Sequence, residues 1–295
     1  MNKYILSCGS TADLTEEHFS SRDIHFICYH FELDGVSYLD DLGKTISYDD
    51  FYEKMKNGSE TRTSQINTDE FEEFFKPFLD EGYDILHVSM SSGLSGVVNS
   101  AHLAARNLSE KYPNQKIYIV DSLCASSGYG LLMDKLADLR DSGMSIDKLR
   151  QWAEKNKDTI HHWFFSTDLS FYVKGGRISK TAGAIGNLMN ICPVLNMDEN
   201  GKLVVQAKIR GKKKVIKEII RMMELHAQNG MDYHDKCYVS HSACPEDARE
   251  VAKLVEQKFP KLKGPVEINN IGTTIGCHSG PGTVAIFFWG DSRSA

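Results

Sequence analysis

The hexapeptide Ser91-Ser92-Gly93-Leu94-Ser95-Gly96 concentrates hydroxyls and pliable backbone in one place. It follows the short apolar run Ile85 to Met90 and precedes Val97, Val98, Ala101, Ala104, Ala105 and Leu108, which recur at helical spacing. A buried strand, a tight turn and a helix are therefore expected. The first amides of a helix have no partners inside it and its dipole is positive there, so an anion is favoured. Glycines at 93 and 96 let a ligand approach the main chain. Ser95 and Gly96 are accordingly expected to hold a carboxylate. The competing reading is that these serines only cap the helix.

A carboxylate leaving water needs several donors, because burying it unpaired costs several kcal/mol. Ser10 lies in the turn Cys8 to Asp13 after the strand Tyr4 to Ser7, and Ser122 follows Asp121 at the end of the strand that begins at Lys116. Ligands of a parallel α/β sheet lie beyond the carboxyl ends of its strands, where Ser10, Ser95 and Ser122 all fall. Asp121 reads as an anchor for a loop rather than as a base. Thr63 sits in the polar loop Glu60 to Asn67, Arg177 in Gly175-Gly176-Arg177-Ile178-Ser179, and His278 with Ser279 in Gly272 to Thr283, a loop holding four glycines.

The elements that must position these groups alternate. Ile24 to Leu33 is an extended stretch, and Asp34-Gly35 turns it into Val36 to Leu39 as a hairpin. Ser47 caps a helix from Tyr48 to Met55. Asn67 with Glu70 forms a capping box for a helix carrying Phe71, Phe74, Phe75, Phe78 and Leu79, all five expected in the core. After the strand at Lys116 comes a helix with Leu131, Leu132, Leu136 and Leu139 inward. Strands alternating with helices imply parallel crossovers. From about His161 short strands dominate: a hairpin of Val194 to Met197 with Leu203 to Ile209, then Cys237 to Ser240, Val266 to Ile271 and Val284 to Trp289, with helices at Val215 to Met223 and after Pro245. The expected fold is α/β in two domains, 1–160 around a mainly parallel sheet and 161–295 a smaller mixed α/β unit.

With 295 residues, 41% apolar and 25% charged, the composition is that of an ordinary soluble globular protein, and a net charge of -6 offers no global attraction to nucleic acid. No apolar run of about 18 residues is present, and Met1 to Cys8 is too short and polar for a signal peptide, so a cytoplasmic protein without an integral membrane segment is expected. The seven cysteines form no Cys-x-x-Cys pair. They read as reduced, mostly buried thiols, with neither a disulfide framework nor a metal site.

Five motifs together resemble the DegV family of fatty-acid-binding proteins: Thr63-Ser64-Gln65, the turn at 91–96, Val120-Asp121-Ser122, Gly175 to Ser179, and Ile275 to Gly282. They occur in the family's order and span nearly the whole chain. The resemblance implies a long-chain fatty acid between two α/β domains, its carboxylate held at the boundary by Thr63, Ser95 and His278, with 161–295 closing over the acyl chain. Arg177 matches the family's arginine; Ser10, Ser122 and Ser279 are further ligand or supporting positions. No cofactor beyond the bound fatty acid is implied, and the protein would present it to a separate fatty acid kinase rather than act as an enzyme. A transient membrane contact is compatible with that role. Two positions depart from the family pattern: Ile66 where proline commonly follows Thr-Ser-Gln, and Val97 where threonine commonly follows Ser-Gly.

A serine-dependent acyl hydrolase is the alternative, with Ser95, His278 and Asp121 as nucleophile, base and orienter. Gly93-Leu94-Ser95-Gly96-Val97 lacks the second glycine of a Gly-x-Ser-x-Gly elbow. Gly211-Lys212-Lys213-Lys214 is not a Walker loop, and no nucleotide or dinucleotide fingerprint occurs. The run Lys208 to Lys217 carries six positive side chains in an acidic chain, with no aromatic residues interleaved. Lys208, Arg210 and Lys213 are read as a docking surface for the kinase rather than for nucleic acid.

Overall fold

The computed structural model describes residues 3–183 and 191–294. In chain order the strands of the first half are β1 (Tyr4–Gly9), β2 (Ile24–Ile27), β3 (His30–Leu33), β4 (Val36–Leu39), β5 (Thr61–Ser64), β6 (Asp84–Ser89) and β7 (Ile117–Asp121). Those of the second half are β8 (Ile160–Ser166), β9 (Ile191–Met197), β10 (Leu203–Arg210), β11 (Tyr238–His241), β12 (Glu267–Asn270) and β13 (Thr283–Trp289). The helices are α1 (Glu16–Ser21), α2 (Tyr48–Lys56), α3 (Thr68–Asp80), α4 (Val97–Lys111), α5 (Ser126–Asp141) and α6 (Ile146–Asn156). They continue with α7 (Ser170–Lys174), α8 (Lys180–Gly183), α9 (Lys212–His226), α10 (Pro245–Lys258) and α11 (Thr273–Ser279).

Three sheets result. β2-β1-β6-β7 is parallel throughout, β4-β3-β5 is antiparallel, and β10-β9-β8-β13-β11-β12 is mixed. The parallel pairs need crossovers, which α1 and α4 supply. On α4 the inward face is Val97, Val98, Ala101, Ala104, Ala105 and Leu108, the six positions expected from periodicity. Small residues there let the helix lie close to β6, whose Ile85, Leu86 and Val88 are fully buried. Ser47 and Asn67 cap α2 and α3 through the amides of Asp50 and Glu70, and the Asn67 capping box is complete.

Several expectations change. The stretch Ile24 to Leu33 is not one element: β2 joins the parallel sheet and β3 the small antiparallel one, with the Asp34-Gly35 hairpin to β4 as expected. The polar loop Glu60 to Asn67 contains β5, which pairs along β3 from Leu33↔Thr61 to His30↔Ser64. The glycine-rich loop Gly272 to Thr283 contains α11. Phe71, Phe75 and Leu79 are buried, whereas Phe74 and Phe78 are half-buried at the edge of the core, and so is Leu139. The seven cysteines are free, and all but Cys28 and Cys244 are buried.

One buried charge cluster ties the halves together. Asp134 on α5 accepts from His18 Nε2 at 3.1 Å, Arg22 Nη1 at 3.0 Å and Lys236 Nζ at 2.5 Å. Burial disfavours the His18 imidazolium, but hydrogen bonds to Asp134 and Glu267 outweigh it and lift its pKa to about 9. A group raised in the folded state stabilises fully below its unfolded pKa, near 6.5, and loses that contribution as pH rises through the folded value. The urea midpoint is thus expected to fall between pH 7 and about 9.5, by on the order of 2 kcal/mol in stability, and His18→Gln should flatten that slope. An equal slope in both proteins would remove His18 as its cause.

Candidate functional site

The turn after β6 is braced by the other half of the chain. Ser91 Oγ donates to the Gly201 carbonyl at 2.8 Å and accepts from the Gly93 amide at 3.1 Å. A Cβ on Gly93 would stand 2.5 Å from the Gly201 oxygen, so only glycine lets the turn meet the tip of the β9–β10 hairpin. Ser95 Oγ accepts from the Val97 amide at 3.3 Å, while the residue before α4 is Gly96, which makes no side-chain cap. Ser95 thus covers the first amide of α4 from one residue before the cap position, which is part of what the capping reading expects.

Thr63 comes in on β5 and His278 on the last turn of α11, and Thr63 Oγ1 lies 2.8 Å from His278 Nε2. Gly175, which ends α7, makes room for the ring: a Cβ there would be 2.3 Å from His278 Nδ1. Burial first, and then the Arg177 guanidinium, lower the His278 pKa to about 4, so the ring is neutral at neutral pH. Its Nδ1 is buried and unpartnered among the described residues. Arg177 is half-buried, donates to the Gly175 carbonyl at 2.5 Å and makes no ion pair among the described residues.

Thr63, Ser95, Gly96, Arg177, His278 and Ser279 all line one cavity of about 780 Å³. The rest of its wall is mainly apolar: Met90, Phe164, Tyr172, Met197, Ile271 and Phe287. Sequence reading missed this wall. Its signal is the period of two: His162 and Phe164 on β8, and Thr283, Ala285 and Phe287 on β13, line the cavity from one face of paired strands. His162 brings no charge there. Its Nδ1 donates to the Ile160 carbonyl at 3.1 Å, Nε2 accepts from the Ala125 amide at 3.3 Å, and burial keeps it neutral. Hydroxyls and an imidazole on the wall of a chamber that is apolar over most of its remaining lining, with Glu60, Arg62 and Lys174 also on it, suit an amphiphile with an anionic head.

Residues 8–291 match the family described as "Uncharacterised protein, DegV family". The chain belongs to the DegV family. The DegV domain-containing protein CPE0026 of Clostridium perfringens is 36% identical over 293 residues, 99% of each chain. Among solved structures, a hypothetical protein of Thermotoga maritima described as revealing fatty acid binding function is 27% identical, with a TM-score of 0.82 over 99% of this chain and 100% of that one. The Fatty Acid Kinase (Fak) B3 protein of Streptococcus pneumoniae, loaded with linoleic acid, shares the fold at 21% identity, with a TM-score of 0.84 over 98% of this chain and 100% of that one.

In this DegV chain the remaining expected positions separate. Ser10 stands behind the wall: it donates to Asp40 Oδ2 at 3.1 Å and accepts from the amide of Tyr29, a lining residue. Ser122 closes its own turn through the amide and carbonyl of Cys124 and does not line the cavity. Asp121 Oδ1 accepts from the amides of Ser92 and Leu123, both at 3.1 Å, the anchoring role expected of it. The hydrolase triad is not assembled, since Ser95, His278 and Asp121 each have other partners. Ile66 and Val97, where the chain departs from the DegV pattern, are both 1% exposed and belong to the core.

Lys208 and Arg210 project from β10, an edge strand of the mixed sheet, and Lys213 from the first turn of α9; all three are exposed. Charges on an edge strand also block sheet-to-sheet association. His161, His226 and Asp291 bring ligand-type atoms within 4.8 Å of one another. The two imidazoles are stacked, centroids 4.9 Å apart with planes at 19°, and His161 Nε2 and His226 Nδ1 both lie against Asp291 Oδ1, at 2.8 and 3.2 Å. Among the described residues no helix is long and apolar enough to cross a membrane.

Proposed function

We propose that this DegV protein binds a long-chain fatty acid between two domains, 1–160 and 161–295, and presents it in the cytoplasm to a fatty acid kinase that makes the acyl phosphate. The carboxylate is held by Thr63, Ser95, the Gly96 backbone and His278, with Arg177 and Ser279 beside it; the tail occupies the apolar part of the 780 Å³ cavity. The observation that carries this reading is the single cavity that joins the Thr63–His278 pair and Ser95 to an apolar chamber. Each methylene buried contributes about 0.8 kcal/mol, so the tail supplies affinity and the donors supply orientation. The names of the T. maritima and S. pneumoniae relatives lend support. Purified protein, denatured and extracted, should release a long-chain fatty acid detectable by mass spectrometry. Extracts without one, together with no uptake of added fatty acid, would sink the reading.

The protein is a carrier in this reading, without a cofactor or chemistry of its own. Ser95→Ala should fold normally and bind fatty acid at least about tenfold more weakly, the loss of one charge-assisted hydrogen bond. Ester turnover, or labelling of Ser95 by a serine-directed phosphonate that the alanine variant abolishes, would favour the hydrolase instead.

Lys208, Arg210 and Lys213 serve as the kinase-facing surface. β10 begins at Leu203 in the cavity wall and ends at Arg210, which links that surface to the site. Rim charges act chiefly on encounter rate. Reversing Arg210 and Lys213 to glutamate should slow kinase association and flatten its salt dependence while fatty-acid affinity holds. Unchanged kinase-coupled phosphorylation would reduce these residues to a solvated face.

A further inference from the structure

We propose that Asp13 and Asp40 are positioning residues for the ligand site: from the N-terminal half they clamp the first turn of α11 and so set where His278 stands. The proposal rests on the fatty-acid reading above. Neither residue lines the cavity.

Asp13 Oδ1 accepts from the Gly272 amide at 3.0 Å, and Oδ2 accepts from Ser126 Oγ at 2.5 Å. Asp40 Oδ1 accepts from Thr273 Oγ1 at 2.8 Å, and Oδ2 from Ser10 Oγ at 3.1 Å. The carboxylates are 3% and 1% exposed, and among the described residues neither has a cationic partner. Burial raises the pKa of both acids, and Asp40 adds to that at Asp13; two such groups are an expensive way to build a core, so their value lies in what they hold. What they hold is a seven-residue helix containing Gly276, too short and too weak in propensity to stand alone. Asp13 itself sits in the left-handed region, φ 48, which aims its side chain at Gly272. Tyr52 completes the clamp by donating to the Ile271 carbonyl at 2.7 Å.

Leverage follows from the helix length. Thr273 and His278 are separated by about 7.5 Å along the axis, so a tilt of roughly 8° at the clamped end moves the imidazole by about 1 Å. Displacements of that size are enough to spoil a directional contact.

The test compares oleate with oleyl alcohol, which share a tail and differ in the carboxylate. Asp40→Asn and Thr273→Val should each lose about tenfold in oleate affinity while oleyl alcohol binding stays within about twofold, and Thr273→Ser, which keeps the hydroxyl, should restore oleate affinity. Thr273→Val keeps the experiment informative if Asp40→Asn fails to fold. Parallel losses for both ligands, or a lowered Tm with the oleate preference intact, would make the clamp merely structural and overturn the proposal. Wild-type protein that binds neither ligand would overturn the fatty-acid reading and the clamp's role with it, an outcome distinct from variants that keep the wild-type preference.

Discussion

Ala285→Trp should abolish binding of long acyl chains while leaving the fold intact. Ala285 lies on β13 between Thr283 and Phe287, on the face that lines the cavity and opposite Phe164 of β8. An indole there grows into open volume rather than into packed core, so the overpacking penalty of a small-to-large change is avoided. If it displaces about four methylenes at about 0.8 kcal/mol each, affinity falls by more than about a hundredfold. Shorter acids should lose less, because they never reach the blocked region, and the acid extracted from the variant should be shorter than that from wild type. Mass spectrometry of extracted ligand and a binding isotherm for oleate check both. Retention of the same acid with affinity within about threefold would show that the tail does not pass Ala285.

Asp134→Ala should give the largest loss of stability. The carboxylate lies between His18, Arg22 and Lys236, and its side chain is 2% exposed. Burial raises its pKa, but hydrogen bonds from His18 and Lys236 and the nearby cations outweigh that and hold it well below the usual carboxylate range. A depressed carboxyl stabilises above its unfolded pKa, near 3.9, and loses that contribution as pH falls through the folded value. Removing it strands three cations at a half-buried seam, which costs about 3 kcal/mol and on the order of 5 °C in Tm. Arg22 and Lys236 keep some contact with water, which places the cost at the low end for a broken buried pair. Calorimetry at pH 7 measures it; a Tm within about a degree of wild type would mean that water already screens the cluster. Asp134 stands on α5 among Leu131, Leu132 and Leu136, and an acid set among core leucines is the sequence signal of a buried charge.

How much was legible from sequence follows the range of the interactions. The inward face of α4, the caps Ser47 and Asn67, the Asp34-Gly35 hairpin and the β9–β10 hairpin are set by contacts a few residues apart, and each was readable. The motifs that indicated the DegV family are equally local. Through the family's pattern they pointed to Thr63, Ser95 and His278, but they could not show that Thr63 and His278, 215 residues apart in the chain, stand 2.8 Å from one another.

Tertiary structure decided the rest. Thr61-Arg62-Thr63-Ser64 has no apolar alternation to mark a strand; it is one because β3 offers a free edge for its amides and carbonyls. Thr273 to Ser279 is rich in residues that disfavour a helix, and it is helical with its first turn held by Asp13, Asp40 and Tyr52 from the other half of the chain. The cavity wall is likewise a property of register: His162 and Phe287 become neighbours only when β8 and β13 pair antiparallel, and a slip of one residue would turn both side chains to the opposite face. Sequence therefore determined which hydroxyls, amides and imidazole the chain has to offer, because chemistry resides in side chains, and long-range pairing determined that Thr63, Ser95 and His278 share one chamber, because distance in space is not written in local propensity.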